Sequence, residues 1–231
     1  MIWLSFSYSI FSLIVLFVLL IMIGKRQLEL RCTAVYYLLI VILSIALWVV
    51  GDLLQIIYSD LGNKSAVLIF SRFATISSMV AMVSTILFAR VLTARRTLNS
   101  ITVVIAFIIF GGVVALTLSS AYRVIEPPKD VDFYKTDADI IWVILDAMMV
   151  LYAGGVFLHY LFRQRKIVQN RYIPVINIMI TGVIIAFFVS AILYAIYAVG
   201  FVVPLLHLEL VSASIGAMII GIAMLLSLIH I

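Results

Sequence analysis

The sequence predicts an all-α membrane protein, built as a bundle of seven transmembrane helices. Of its 231 residues, 66% are hydrophobic and 11% are charged, whereas apolar residues make up about half of a soluble domain. The apolar residues also fall into long stretches, and about 20 helical residues cross a hydrocarbon core of roughly 30 Å. We therefore expect residues 1–231 to form a single transmembrane domain.

Seven apolar stretches have the required length. The predicted helices span residues 2–23, 34–58, 66–88, 101–118, 140–162, 175–199 and 208–231. The first stretch is expected to remain as a helix rather than to be removed as a secretion signal. No basic residue precedes it, and it lacks a small-x-small cleavage site.

Basic residues predict the orientation, because loops rich in lysine and arginine stay on the cytoplasmic side. They concentrate in the turns after helices 1, 3 and 5, at Lys25, Arg26, Arg31, Arg90, Arg95, Arg96, Arg163, Arg165, Lys166 and Arg171. The N-terminus is predicted outside and the C-terminus inside, in a multi-pass protein of the cytoplasmic (inner) membrane. The net charge of +5 belongs to this membrane-surface pattern, so we expect membrane lipids and no nucleic acid as partners.

The one long connection, residues 119–139, is predicted to lie outside. It contains Pro127 and Pro128 and is acidic. Two interpretations stay open: a solvated connector, or a lid over an outward-facing pocket, since long loops in compact domains often have such a role.

Three ionisable residues on three helices are predicted to share one depth. Asp52 and Arg72 each lie eight residues inside the outer ends of helices 2 and 3, which places them about 12 Å deep. Asp146 lies seven residues after Asp139, about 10 Å deep. Charges within a membrane are costly and by default indicate a functional site.

Neighbouring side chains at helical spacing predict an amphipathic pocket around these charges. The predicted cluster consists of Asp52, Gln55, Arg72, Asp146, Tyr194 and Tyr197, with lining from Trp48, Thr75, Trp142 and Glu209. Three interpretations remain for it: a ligand or ion site, an Asp52–Arg72 ion pair that fastens helices 2 and 3, or a proton pathway.

The sequence does not predict an enzyme, a metal site or a cofactor. It contains no HExxH, GxSxG or Walker motif. Its single cysteine, Cys32, rules out a site built from several thiolates. A bis-histidine haem needs two histidines that face each other at one depth. His207 lies near the outer side, so only His159 and His230 share a depth. A haem is not expected.

The arrangement of helices resembles the N-terminal seven-helix sensor region of some microbial histidine kinases. The features that carry the resemblance are the Trp48 region, the Arg90 end of helix 3, the long outer loop, Asn177, Tyr194 and the turn at 204–209. The resemblance implies signal reception in the membrane, with helix 7 driving a cytoplasmic output. No kinase domain follows Ile231, so the output is expected from a partner protein.

A second resemblance is to the microbial rhodopsin bundle. Arg72-Phe73-Ala74 is similar to the Arg-aromatic-Ala stretch of rhodopsin helix 3, and residues 211–216 are similar to the retinal-bearing stretch of helix 7. Ser214 stands where the Schiff-base lysine would be, and no other predicted helix holds a lysine. Covalent retinal is therefore excluded.

These observations predict a receptor-like sensor that binds a small ligand, or senses the membrane, through its outer half and signals to a partner protein. Small-residue faces around Gly111, Gly154 and Gly216 would also suit a homo-oligomer. The alternatives are an accessory or structural subunit of a larger membrane complex, and ion or proton translocation.

Overall fold

The computed structural model describes residues 2–30, 33–92, 100–125, 135–193 and 208–229. Its helices are α1 (Ile2–Leu30), α2 (Thr33–Asp60), α3 (Lys64–Leu92), α4 (Ser100–Leu118), α5 (Ile140–Arg165), α6 (Ile173–Val183) and α7 (Leu208–Ile229). Strands β1 (Tyr122–Ile125) and β2 (Lys135–Ala138) form an antiparallel hairpin between α4 and α5. We call the side of the bundle that carries it the hairpin end, and the other side the opposite end.

Six helical segments of the described chain are long and apolar enough to cross a membrane. The sixth runs Asn170–Leu193 and combines a 3₁₀ turn (Asn170–Tyr172), α6 and a π-helical turn (Ile184–Val189). The prediction of an integral, multi-pass helical bundle is thereby confirmed. The seventh span stays a prediction, because the apolar part of α7 covers Val211–Leu226 in the described residues. The orientation likewise stays a prediction.

The end of the first helix shows what hydropathy does not report. Hydropathy predicts a helix over 2–23, but α1 continues to Leu30, through Lys25 and Arg26. A charged turn ends the apolar span without ending the helix, since backbone hydrogen bonding continues into the interfacial region. The last predicted residues of the sixth stretch, 194–199, lie outside the described part of the chain.

The helices pack in a ring. α1 contacts α2 and α7, α2 contacts α3, α3 contacts α5, and the segment containing α6 joins α5 to α7. α4 lies against α3 and α5. Large apolar side chains cover the outside of the bundle, at positions such as Phe17, Ile69, Ile108 and Ile144, as expected for helices that face lipid.

The turn between α2 and α3 follows directly from its sequence. Gly62 has a positive φ of 69°, which a residue without a Cβ adopts freely. Its N–H donates to the Ser59 carbonyl, and the Asn63 N–H donates to the Tyr58 carbonyl, each at 3.0 Å. This is a Schellman ending for α2. The Asn63 side chain then caps α3, since its Oδ1 accepts from the Ala66 N–H at 3.1 Å.

Small residues bring α2 and α3 into close contact. A Cβ on Gly51 would lie 2.9 Å from the Cβ of Ala74, so the two backbones meet where neither side chain occupies space. Further small side chains are buried along α3, namely Ser71, Ser77, Ser78, Ala81 and Ser84. Because lipid removes the hydrophobic drive between helices, such close packing supplies much of their attraction.

α6 and α7 approach each other even more closely. A Cβ on Gly216 would lie 2.5 Å from the Cβ of Ala186 and 2.6 Å from the Gly182 carbonyl oxygen. The Ser212 hydroxyl donates to the Ile185 carbonyl across the same interface, at 2.7 Å. Since a π-helical turn displaces carbonyls from the regular α pattern, this hydroxyl satisfies one of them.

This packing predicts that Gly216→Ala destabilises the protein by about 1–3 kcal/mol, the usual cost of overpacking a filled contact. Gly111→Ala is the matched control, because a Cβ there would meet nothing within 4 Å. Unfolding of both variants in mixed micelles, titrated with sodium dodecyl sulfate, measures the difference. Equal stability of the two variants would contradict the close α6–α7 contact.

Candidate functional site

The hairpin is joined to the bundle through one face of β1. Tyr122 and Val124 are buried, while Arg123 between them is exposed. β1 pairs with β2 from Tyr122↔Ala138 to Ile125↔Lys135. Alternate residues of a strand point to opposite faces, so one face of the hairpin lies against the helices and the other faces away from them.

Tyr122 anchors the hairpin on α3. Its hydroxyl forms a 2.5 Å hydrogen bond with the Ser71 hydroxyl and lies 3.4 Å from the Thr75 hydroxyl. Ser71 and Thr75 are four residues apart, which places both hydroxyls on one face of the helix. The Tyr122 ring packs against Trp142 at the start of α5, with 5.3 Å between the ring centroids.

Trp142 extends the same network to α4. Its indole Nε1 donates to the Thr117 hydroxyl at 2.8 Å, and that hydroxyl donates to the Val113 carbonyl at 2.7 Å. Trp142 and Thr117 are both buried. Three helices and the hairpin therefore meet in one cluster, joined by hydrogen bonds and by the contact between the Tyr122 and Trp142 rings. We call it the hairpin anchor: Ser71, Arg72, Thr75, Thr117, Ser119, Tyr122 and Trp142.

Arg72 is the charged member of the hairpin anchor. Its terminal nitrogen Nη2 donates to the Ser119 carbonyl at 2.9 Å and to the Tyr122 carbonyl at 3.5 Å. Ser119 directly follows the end of α4 at Leu118, where helix carbonyls are unsatisfied and a cation is favoured by the helix dipole. The Nε atom of Arg72 is buried and has no hydrogen-bond partner in the described part of the chain.

Asp52 on α2 and Arg72 on α3 lie at the same level in the bundle, but Arg72 is not on the face of α3 that contacts α2. The contact between Gly51 and Ala74 places Asp52 and Arg72 within about 2 Å in depth. Arg72 lies two residues from Ala74, however, which turns it about 160° away from the side that faces α2. Its hydrogen bonds accordingly run to the hairpin. Asp52 is buried on α2, and its ion pair with Arg72 stays a prediction.

Asp146 lies one helical turn beyond Trp142 on α5 and is half-buried. It forms no hydrogen bond or ion pair with another described residue. The structure thus places Arg72, Thr75 and Trp142 of the predicted pocket together, with Asp146 one turn deeper. Gln55 and Trp48 are half-buried on α2.

Three predicted pocket residues lie beyond what the structure describes. Tyr194 and Tyr197 fall outside the described residues, and Glu209 lies in α7 without a described side chain. Within the described residues, no group of three histidine, cysteine, aspartate or glutamate side chains could hold a metal ion.

Sequence reasoning missed the hairpin and its contact residue, Tyr122. The length, acids and prolines of the loop 119–139 predict a connector or a lid but no strand. Its first residues also alternate in character, with apolar Tyr122 and Val124 on either side of Arg123, and this period of two is the signal of a half-buried strand. The repeated hydroxyls Ser71 and Thr75 next to Arg72 were the matching signal on α3.

No protein-family model matches the chain, and no curated protein is significantly similar to it in sequence.

The hairpin anchor predicts a coupled pair of mutations. Tyr122→Phe removes the hydroxyl that bonds Ser71, and we expect it to destabilise the protein by about 0.5–1.5 kcal/mol, the net worth of one hydrogen bond. Ser71→Ala should cost a similar amount, and the double variant little more than either one. Unfolding in mixed micelles measures the cycle. Additive effects would show that the two hydroxyls do not interact.

Proposed function

We propose that this protein is a receptor-like membrane sensor that binds a small ligand at its hairpin end. The observation that carries the proposal is the incomplete pairing of Arg72, whose buried Nε lacks a partner among the described residues. Leaving a buried donor unsatisfied costs about 1–3 kcal/mol. A ligand that offers a carboxylate, phosphate or carbonyl oxygen to this guanidinium would recover that cost.

The hairpin has the connections of a lid. Its backbone accepts hydrogen bonds from Arg72 at Ser119 and Tyr122, and a ligand oxygen would compete for the same guanidinium. Binding would then change how tightly the hairpin is held, through a charge that both partners share. The contacts of Tyr122 with two helical hydroxyls hold the hairpin over α3, the position that a lid requires.

The path from the hairpin anchor to the rest of the bundle runs through α5. Its Gly154 lies against the π-helical turn, since a Cβ there would be 2.9 Å from the Cβ of Phe187. The π-helical turn contacts α7 through Ser212 and Ile185. π-helical turns occur frequently at functional sites. A shift of α5 would reach α7 through this contact. The resemblance to kinase sensor regions assigns the output to α7.

In this proposal the hairpin end faces outward and the opposite end faces the cytoplasm, with the protein in the inner membrane. The distribution of lysine and arginine supports that orientation. The signal passes to a separate protein or to a second copy of the chain, because the proposed output of α7 is a movement and not a reaction.

Native mass spectrometry of gently extracted protein tests the ligand. We expect a bound small molecule on the wild type, and an about ten- to hundred-fold weaker complex for Arg72→Gln, the loss expected for a hydrogen bond to a charged group. Lys64→Gln is the matched control, because it removes the same charge from an exposed position on the same helix. A wild type without a bound molecule, or equal retention in both variants, would contradict the proposal.

Asp146 favours proton or cation translocation as a second candidate function. A half-buried carboxyl without a described partner on a membrane helix is a common element of proton pathways. Against a continuous path, the Ser78 and Thr85 hydroxyls further along α3 donate to carbonyls of their own helix.

Liposome flux decides between the two candidates. If the protein transports protons, purified protein in liposomes should dissipate a pH gradient, and Asp146→Asn should abolish that flux because the amide cannot release a proton. The sensor proposal expects no flux from the wild type. Flux that persists in Asp146→Asn would remove this carboxyl from any transport path.

A further inference from the structure

A groove opens on the outside of the bundle near the opposite end, where α4 begins beside α5. Its volume is about 390 Å³, within the roughly 300–1,000 Å³ typical of ligand sites. Thr102 of α4 and Tyr152 of α5 form one wall, and the Tyr152 hydroxyl donates to the Thr102 carbonyl at 3.1 Å. Gly155 leaves the groove open, because a Cβ at this position would meet nothing within 4 Å.

One exposed face of α5 changes in character along the groove. Leu151, Gly155, His159 and Arg163 follow each other at intervals of four residues, and all four are exposed. Residues at this spacing lie above one another on a helix, so the face passes from apolar to cationic over about 18 Å. One leaflet of the hydrocarbon core is about 15 Å thick. The face therefore spans the depth of one leaflet, with its charge at the membrane surface.

The charged end of this face is basic. Arg163, and Arg90 from the end of α3, both lie close enough to the Tyr160 hydroxyl for their charges to act on it. Arg165 and Lys166 follow directly, and the sequence has no acidic residue between Asp146 and Glu209. The ring of His159 lies beside that of Tyr160, with 5.6 Å between centroids. Hydroxyl, imidazole and guanidinium groups together are donors suited to a phosphate.

We propose that this groove binds an anionic glycerophospholipid, with one acyl chain along Leu151 and Gly155 and the phosphate at His159, Tyr160 and Arg163. Charge complementarity selects an anionic headgroup over a zwitterionic one, since basic pockets between transmembrane helices attract anionic lipids. The apolar-to-cationic order along α5 matches the order of chain and headgroup in a lipid. The site lies at the end of the bundle away from the hairpin anchor, and it does not depend on the proposed sensor function.

Native mass spectrometry of the full chain tests the site, after equilibration with equal amounts of phosphatidylglycerol and phosphatidylcholine. We expect the wild type to retain phosphatidylglycerol preferentially. Arg163→Gln should reduce that preference about five-fold, the contribution of one basic residue near a membrane surface. Gly155→Leu should abolish retention, because its side chain would fill the open part of the groove.

Gly111→Leu is the matched control and should retain the lipid, since Gly111 also has open space around it but lies on α4 away from the groove. Equal retention of the two lipids by the wild type would overturn the proposal, because it indicates ordinary annular lipid. Unchanged retention in Gly155→Leu would overturn it as well. If Gly155→Leu does not fold, Arg163→Gln decides alone: an unchanged lipid preference in that variant refutes the site.

Discussion

The fold at the hairpin end depends on the placement of one guanidinium among apolar helices. In hydrocarbon every polar group needs a partner within the protein, and a charge is far more costly than a neutral group. Arg72 meets this requirement with the Ser119 and Tyr122 carbonyls, which are backbone groups beyond the end of α4. The loop has to fold back over α3 to bring them there. Arg72 therefore holds the start of the hairpin against α3, together with the contact between Tyr122 and Ser71.

A guanidinium that pairs with carbonyls differs in charge balance from one that pairs with a carboxylate. An Asp–Arg pair neutralises both charges, whereas a carbonyl is a neutral dipole that accepts a hydrogen bond without cancelling the charge of the donor. One buried donor atom of Arg72, its Nε, has no hydrogen-bond partner among the described residues. Backbone carbonyls therefore hold the guanidinium at the hairpin, and its Nε is the donor on which the proposed ligand site depends.

The sequence predicts the helices well because a membrane span requires a long apolar stretch, and such a stretch is read directly from composition. It predicts depth nearly as well, since each residue advances a helix by about 1.5 Å, and the Gly51–Ala74 contact places Asp52 and Arg72 at one level. The direction in which a side chain points around the helix axis is harder to predict. Each residue turns the helix by about 100°, and a face can be assigned to a partner only once the neighbouring helix is known. The prediction of a pocket at this depth therefore named Arg72, Thr75 and Trp142 but missed Tyr122, the residue that brings them together.

The two ends of α5 have different surroundings. At its start, α5 presents Trp142 to Tyr122 and Thr117, so that ring packing and a hydrogen bond join α5 to the hairpin and to α4. Further along, Gly154 faces inward against Phe187 while Gly155, the next residue, faces open space. Adjacent glycines on one helix thus serve different surroundings: one permits contact with the π-helical turn of the sixth segment, and the other leaves room for a molecule from the bilayer. Because α5 contacts α3, α4 and α6, it is the element through which events at the hairpin anchor and at the lipid-facing groove would be mechanically linked.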